Sequence, residues 1–303
     1  MAEKYPKHPV LFFLSASAIV GAIGGYKEDD YENHGYIGSG CYGTVYRVRE
    51  KKTNKIYALK TFVPGQEECE HAEREISTLR QLKHENIVRM VASSDIENRC
   101  EEDPVHIVLE HMPCDLNAAL GHPETKKNRR EILYRILKGV AYIHSKRLAH
   151  RDLTVKNILI DLTKLSVKIC DFGKCRYGGR ECSFYGNSMD GYYSDVLSIV
   201  DLMGYFYLGR SFSERVSLRR ISRDEMERFV QTRREGGVLP RSGLGMIYRE
   251  MGGVISEDGL DLFLRVLSAK NIGGYTSVAE ALKHPFFDGC ENTDDCRYGG
   301  DVF

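Results

Sequence analysis

Apolar and polar residues alternate along 31–37 and again along 44–49, and this period of two predicts a pair of half-buried β-strands joined by a glycine-rich turn. Residues 56–61, Ile56-Tyr57-Ala58-Leu59-Lys60-Thr61, and residues 105–109 read as further strands. Between them the period changes. Ala72, Ile76, Leu79 and Leu82 recur at helical spacing within 70–82, so one face of that helix packs inward. Downstream, a short helix is expected over 116–120, then a longer one whose apolar stripe is Ile132, Leu133, Ile136, Leu137, Val140 and Ala141. The runs 158–160 and 167–169 read as short buried strands. Val196, Leu197, Ile199, Val200, Leu202, Met203 and Phe206 are apolar nearly all round, the mark of a helix buried on every side.

The residues that carry chemistry sit at the ends of these elements. His150-Arg151-Asp152-Leu153-Thr154-Val155-Lys156-Asn157 precedes the first short strand, and Asp171-Phe172-Gly173 follows the second, fourteen residues after Asn157. Phosphoryl transfer asks a protein mainly for positioning and charge neutralisation; Asp152 to orient a hydroxyl, with Asn157 and Asp171 to hold Mg2+, covers the essentials. Upstream, Gly38-Ser39-Gly40-Cys41-Tyr42-Gly43-Thr44-Val45 spans the turn between the first two strands, where glycine lets backbone N–H groups approach phosphates with no Cβ in the way. Lys60, seventeen residues after Gly43, is expensive to bury unpaired, and Glu75, fifteen residues further on, is its candidate partner. Taken singly, the pair reads as a surface lysine and a solvated helix. Loop, lysine, glutamate, base and metal ligands in this order favour the catalytic reading.

On these motifs the chain resembles the eukaryotic protein kinases over residues 31–287. The resemblance implies an α+β, two-lobed fold: a small N-terminal β-sheet lobe with one helix, a larger and mainly helical C-terminal lobe, and ATP in the cleft between them. It implies a serine/threonine protein kinase that transfers the γ-phosphoryl group of Mg-ATP to protein substrates, in cell-cycle or transcription control. Residues 1–30 are then an N-terminal extension and 288–303 a short tail. Three stretches are similar to the cyclin-dependent kinases: Ala72-Glu73-Arg74-Glu75-Ile76; Met112-Pro113-Cys114-Asp115-Leu116; and Ser256-Glu257-Asp258-Gly259, which leads to Ala281-Leu282-Lys283-His284-Pro285-Phe286-Phe287. A cyclin-like regulatory subunit is implied with them, although only Ala72, Arg74 and Glu75 match the best-known cyclin-binding helix. By the same resemblance Ile37, the loop from Gly38 to Val45 and Lys60 bind the nucleotide, with Glu75 holding the lysine. Backbone groups of Glu110, His111 and Met112 read the adenine edge, with Leu109 behind. Asp115 meets the ribose, or equally caps the helix that follows it. Asp195 braces the catalytic loop. Tyr42 stands where cyclin-dependent kinases carry an inhibitory tyrosine, and reads equally as a loop-tip aromatic.

Three departures from the family pattern stand out. Serine/threonine kinases have lysine two residues after the catalytic Asp; here that residue is Thr154, and Lys156 is the candidate to replace its charge. The A-P-E sequence is absent, with Phe184-Tyr185-Gly186-Asn187-Ser188-Met189 in its region, and Tyr275 stands near the position of the arginine that would hold the missing Glu. Losing both partners of a buried ion pair is close to neutral, whereas losing one costs about 3–5 kcal/mol. The loop after Gly173 is short and has no threonine, so Arg151 is expected to pair with Glu181 instead of a phosphothreonine; Ser183, Tyr177 and Tyr185 are the nearby hydroxyls. A pseudokinase scaffold that binds nucleotide or partners without turnover is the alternative class, opposed by retention of base, lysine and metal ligands.

Bulk properties change this picture little. Lys plus Arg and Asp plus Glu each number 43, so no global field points to nucleic acid. Lys126, Lys127, Arg129 and Arg130 read as the solvated end of a core helix. Nine cysteines without zinc spacing fit reduced thiols in the nucleus or cytoplasm, and Cys41 and Cys170 are expected to face the nucleotide. Residues 10–23 form a fourteen-residue apolar run after Lys4 and Lys7, with the grammar of a signal peptide but short of the roughly 20 residues of a membrane span. Secretion would part an ATP-dependent enzyme from its nucleotide. Membrane association through this run, packing on the domain, or a start codon placed too far upstream are the other readings, and an intracellular enzyme is the expectation.

Overall fold

The alternating segments at the start of the chain pair into a meander. The computed structural model describes residues 23–40, 43–98, 100, 102–178, 191–212, 218, 221, 223–268 and 277–290. Strands β1 (Gly24–Gly25), β2 (Tyr31–Gly40), β3 (Gly43–Glu50), β4 (Ile56–Phe62), β5 (Met90–Ser93) and β6 (Val105–Glu110) form one sheet in the order β1-β5-β6-β4-β3-β2. All pairings are antiparallel except that of β1 with β5. Strand β1 precedes the expected boundary at residue 31. Two glycines have no side-chain pattern to announce a strand, but Tyr26 anchors them: its N–H donates to Ser93 O at 2.8 Å and its ring stacks on Tyr31 at 5.7 Å.

One face of the sheet buries Val48, Tyr57, Ala92 and Val108 beneath Tyr26, Tyr31 and Tyr46. The other carries helix α1 (Gln66–Leu79), which buries Ala72, Glu75, Ile76, Thr78 and Leu79. It begins earlier than its apolar spacing indicates, because Glu67 and Glu68 in the first turn complement the positive end of the helix dipole.

The rest is mainly helical. After β7 (Cys114–Asp115) and α2 (Leu116–Ala119), α3 (Pro123–Ser145) starts on a proline and is capped by His122, whose Nδ1 accepts from Glu124 N at 3.1 Å. Short strands β8 (Leu148–Ala149), β9 (Ile158–Asp161), β10 (Ser166–Ile169) and β11 (Arg176–Tyr177) form two small sheets, β10-β9-β7 and β11-β8. Helix α4 (Gly191–Leu208) buries Leu197, Ile199, Val200, Leu202, Met203 and Phe206, while Val196 is half-buried. Helices α6 (Gly243–Gly252) and α7 (Glu257–Leu267) pack against it, while α5 (Arg223–Arg234) packs on α6 and α8 (Val278–Ala281) on α3. One contiguous core joins Phe62, Ile76 and Ile107 of the sheet lobe to Phe172, Ile132, Val200 and Phe263 of the helical lobe. The fold is thus α+β and two-lobed. Among the described residues no helix is long and apolar enough to cross a membrane; residues 10–22 and 291–303 lie outside them.

Candidate active site

Strand register decides which side chains enter the cleft. Val45 pairs with Lys60 and Ala58 with Leu109, and residues two apart on a strand share a face, so Val45, Ala58, Lys60 and Leu109 look the same way. Lys60 Nζ lies 2.6 Å from Glu75 Oε2 of α1 and 3.0 Å from Asp171 Oδ1, which follows β10. Burial opposes the ammonium, but the Glu75 and Asp171 carboxylates outweigh it and hold Lys60 above the ordinary lysine range. Asp171 is pushed up by burial and down by Lys60, and the ammonium wins. Glu75 is fully buried, and there burial wins and raises its carboxyl. Arg74, the preceding residue of α1, donates from Nη1 to Gly173 O at 2.6 Å. One helix therefore fixes both the lysine and the metal-ligand turn.

The loop between β8 and β9 is held from beneath. Asp195 of α4 is fully buried and accepts from His150 N at 2.8 Å, Arg151 N at 2.7 Å and His144 Nε2 at 2.9 Å. This bracing sustains the left-handed backbone of Arg151 at φ 68°; Asp171, which follows β10, is left-handed as well at φ 65°, and each such backbone costs about 1–3 kcal/mol. His150 is buried and kept neutral, its pKa lowered by burial. Its Nε2–H donates to Cys170 O at 3.0 Å, and its Nδ1 accepts from Asp152 N at 3.3 Å. Asn157 Nδ2 donates to Asp152 O at 2.8 Å and Oδ2 at 3.2 Å, joining the base to its neighbour.

These are the elements of a phosphotransfer site, and the comparison with known families agrees: the model of the protein kinase domain matches residues 31–194, more than half of the chain. The chain belongs to the protein kinase domain family. With membership come a eukaryotic-type protein kinase fold, phosphoryl transfer from ATP, commonly with Mg2+, and protein substrates. The kinase residues suit a hard cation. Asn157 spends its amide N–H groups on Asp152, and Asp171 spends one oxygen on Lys60, so each retains an oxygen donor of the type Mg2+ prefers.

The glycines divide their work. A Cβ on Gly38 or Gly40 would meet nothing within 4 Å, leaving backbone open to a phosphate, whereas one on Gly43 would sit 2.0 Å from Thr61 O. Gly43 therefore serves the close pairing of β3 with β4. Cys41 and Tyr42 lie outside the described residues. At the hinge, Glu110 N donates to Arg89 O at 2.9 Å, and no backbone group of His111 or Met112 is hydrogen-bonded among the described residues. Ile37 is 49% exposed at the cleft mouth. Thr44 pairs with Ser39 across the hairpin. Asp115 caps α2, accepting from Ala118 N at 2.7 Å.

Lys156 is exposed on the solvent side of the catalytic turn. Leu153 and Val155 are buried at 3% and 5% exposure, so the turn sends Thr154 and Lys156 outward to solvent. The ammonium beside the kinase base belongs to Lys174, with Nζ 3.0 Å from Asp152 Oδ2. Sequence reasoning missed it, although its position directly after Asp171-Phe172-Gly173 was the available signal. Cys170 is half-buried, and burial beside Asp171 pushes its thiol up, which makes it a poor nucleophile. Glu181, Ser183, the stretch 184–189 and Tyr275 lie outside the described residues.

Proposed function

We infer that this kinase is catalytically active and transfers the γ-phosphoryl group of Mg-ATP to serine or threonine hydroxyls of proteins. The observation that carries the reading is the single ammonium of Lys60 held between Glu75 and Asp171 at 2.6 and 3.0 Å, an expensive arrangement to bury without use. In this reading Lys60 grips the α- and β-phosphates and Ile37 to Val45 cover them. Glu110 and Met112 present backbone groups to adenine, and Asp115 meets the ribose while capping α2. Asn157 and Asp171 hold Mg2+, which neutralises charge on the phosphates. Asp152 orients the accepting hydroxyl and takes its proton as the new O–P bond forms and the bond to the β–γ bridging oxygen breaks.

The narrower assignment to the cyclin-dependent kinase group, with a role in cell-cycle or transcription control inside the nucleus or cytoplasm, belongs to the same proposal. Part of its sequence support does structural work: Ser256 caps α7 by accepting from Gly259 N at 3.2 Å, and His284 Nε2 pairs with Asp261 at 3.1 Å. A cyclin-like subunit is the weakest element. Glu75 meets Lys60 with α1 turned inward, the arrangement that such a partner would hold. The kinase domain is proposed to run through residue 287, with membrane attachment through residues 10–23 not favoured.

The scaffold alternative has one observation on its side, the solvent-facing Thr154 where the family lysine is expected. Purified protein incubated with labelled Mg-ATP and a generic basic protein decides between them. Label on serine or threonine, abolished in Asp152→Asn, supports the active enzyme. Label on tyrosine alone overturns the specificity, and nucleotide binding with no transfer establishes the scaffold.

A further inference from the structure

Asp152 has a cation at its side despite the loss of the family lysine. Lys174 Nζ lies 3.0 Å from its Oδ2, and Asn157 Nδ2 donates to the same oxygen at 3.2 Å. Both donors crowd one oxygen. Oδ1 has no partner among the described residues, which leaves it to accept a proton from a hydroxyl.

The stem that carries Lys174 is anchored on either side. Gly173 O accepts from Arg74 at 2.6 Å, the Cys175 N–H donates to Phe172 O at 3.0 Å, and Cys175 itself is 2% exposed. The Lys174 side chain is 46% exposed where it rests against the carboxylate, so it can also meet a bound phosphate from the solvent side. Lysine is a point charge on a flexible stem, and a site that needs the charge can receive it from a different stretch of chain. Thr154 carries no charge, and among the described residues the ion pair with Asp152 is made by Lys174, not by Lys156.

We propose that Lys174 is a positioning residue for phosphoryl transfer. From the turn after Asp171 it supplies the cation that related kinases carry two residues after the base, keeping Oδ1 of Asp152 turned to the hydroxyl and setting positive charge beside the phosphoryl group in transit. This rests on the reading of the chain as an active kinase. A fixed charge aimed at developing charge is worth about 10²-fold in rate, and its loss falls on kcat and spares nucleotide binding.

Two measurements on the full-length protein test it. In the transfer assay, Lys174→Met is expected to lower kcat about 10²-fold with KM for ATP within about threefold. Lys174→Arg should retain most of the rate. Adding Thr154→Lys to Lys174→Met should recover about tenfold or more, because it returns the cation from the family position. Unchanged kcat in Lys174→Met, or a loss that neither Lys174→Arg nor Thr154→Lys repairs, overturns the assignment. The second measurement needs no turnover: acetylation of Lys174 by an amine-reactive ester, followed by mass spectrometry. A non-hydrolysable Mg-ATP analogue should slow acetylation of Lys174 more than Mg-ADP does. Equal protection by the two nucleotides, or none by either, overturns it. Transfer absent with analogue-specific protection would refute the active-kinase reading and the positioning role with it, leaving only a contact of Lys174 with the terminal phosphate; transfer present without such protection would overturn the Lys174 assignment alone.

Discussion

Replacing Asp195 with alanine removes the acceptor on which the catalytic loop rests. Three donors end on this fully buried carboxylate, at 2.7, 2.8 and 2.9 Å, and two of them are the backbone N–H groups of Arg151 and His150. Hydrogen bonds to a charged group contribute about 1.5–3 kcal/mol each, and unpaired buried donors add their own desolvation cost. Water entering the space left by the carboxyl recovers part of this, so about 4–6 kcal/mol is expected, of the same order as the 3–5 kcal/mol lost when one partner of a buried ion pair is removed. Domain stability is about 5–15 kcal/mol in total. Arg151, at φ 68°, would be released from the bond that sustains its left-handed backbone, and relaxation there displaces Asp152, the next residue. A misplacement of about 1 Å at a reacting group costs about 10²-fold in rate.

The chain has no tryptophan, so urea unfolding is best followed by far-ultraviolet circular dichroism. Asp195→Ala should shift the midpoint sharply downward and cut kcat by about 10²-fold or more, while Mg-ATP affinity in the folded fraction changes little, because Lys60, Glu75 and Asp171 are held independently. Asp195→Asn keeps one acceptor oxygen but turns an amide N–H2 toward donors, so an intermediate loss is expected. An unchanged urea midpoint in Asp195→Ala, or a large destabilisation with wild-type kcat, would refute the argument that α4 braces the loop.

Stability should fall as pH drops below 6.5. Burial lowers the pKa of His84, His106, His111 and His150, so the unfolded chain binds more protons there. Glu75, raised by burial, acts with the opposite sign above 4.5, so the histidine share is read as the difference in urea midpoint between pH 7.5 and pH 5.5 for wild type and for His150→Asn; identical slopes would contradict it. Burial pushes Cys175 up to about 12, and Cys170 is raised as well, so iodoacetamide at pH 8 should label the exposed Cys100 well before either. Gly139→Ala should destabilise the protein by about 1–3 kcal/mol despite alanine's better helix propensity. Its Cβ would lie 2.8 Å from Ile169 Cδ1 and 3.0 Å from the backbone Asn86 O, which cannot swing aside. A urea midpoint at or above wild type would show that the helix moves away from that carbonyl.

The parts of the site legible in the sequence are those whose backbone direction a periodic pattern determines. Alternation along β3, β4 and β6 places Val45, Ala58, Lys60 and Leu109 on one face, and helical spacing in α1 brings Glu75 to that face. Asp152, Asn157 and Asp171 sit at the ends of β8, β9 and β10, where short buried strands leave their side chains little choice of direction. Other features lack such a determinant. Gly24–Gly25 has no side chains to alternate and is recognisable as a strand only through the anchoring of Tyr26. The replacement for the missing lysine is a matter of charge, and charge on a long stem is not bound to one spacing from the base. Spacing favours Lys156, but Val155 must be buried, and in so tight a turn the burial of one residue sends both its neighbours to solvent. Lys174 meets no such conflict, because Cys175 takes the inward position beside it and Arg74 pins the carbonyl before it. Packing selected which of the two cations, Lys156 or Lys174, reaches Asp152, and the same packing leaves Oδ1 of that carboxylate as the side from which a hydroxyl can approach.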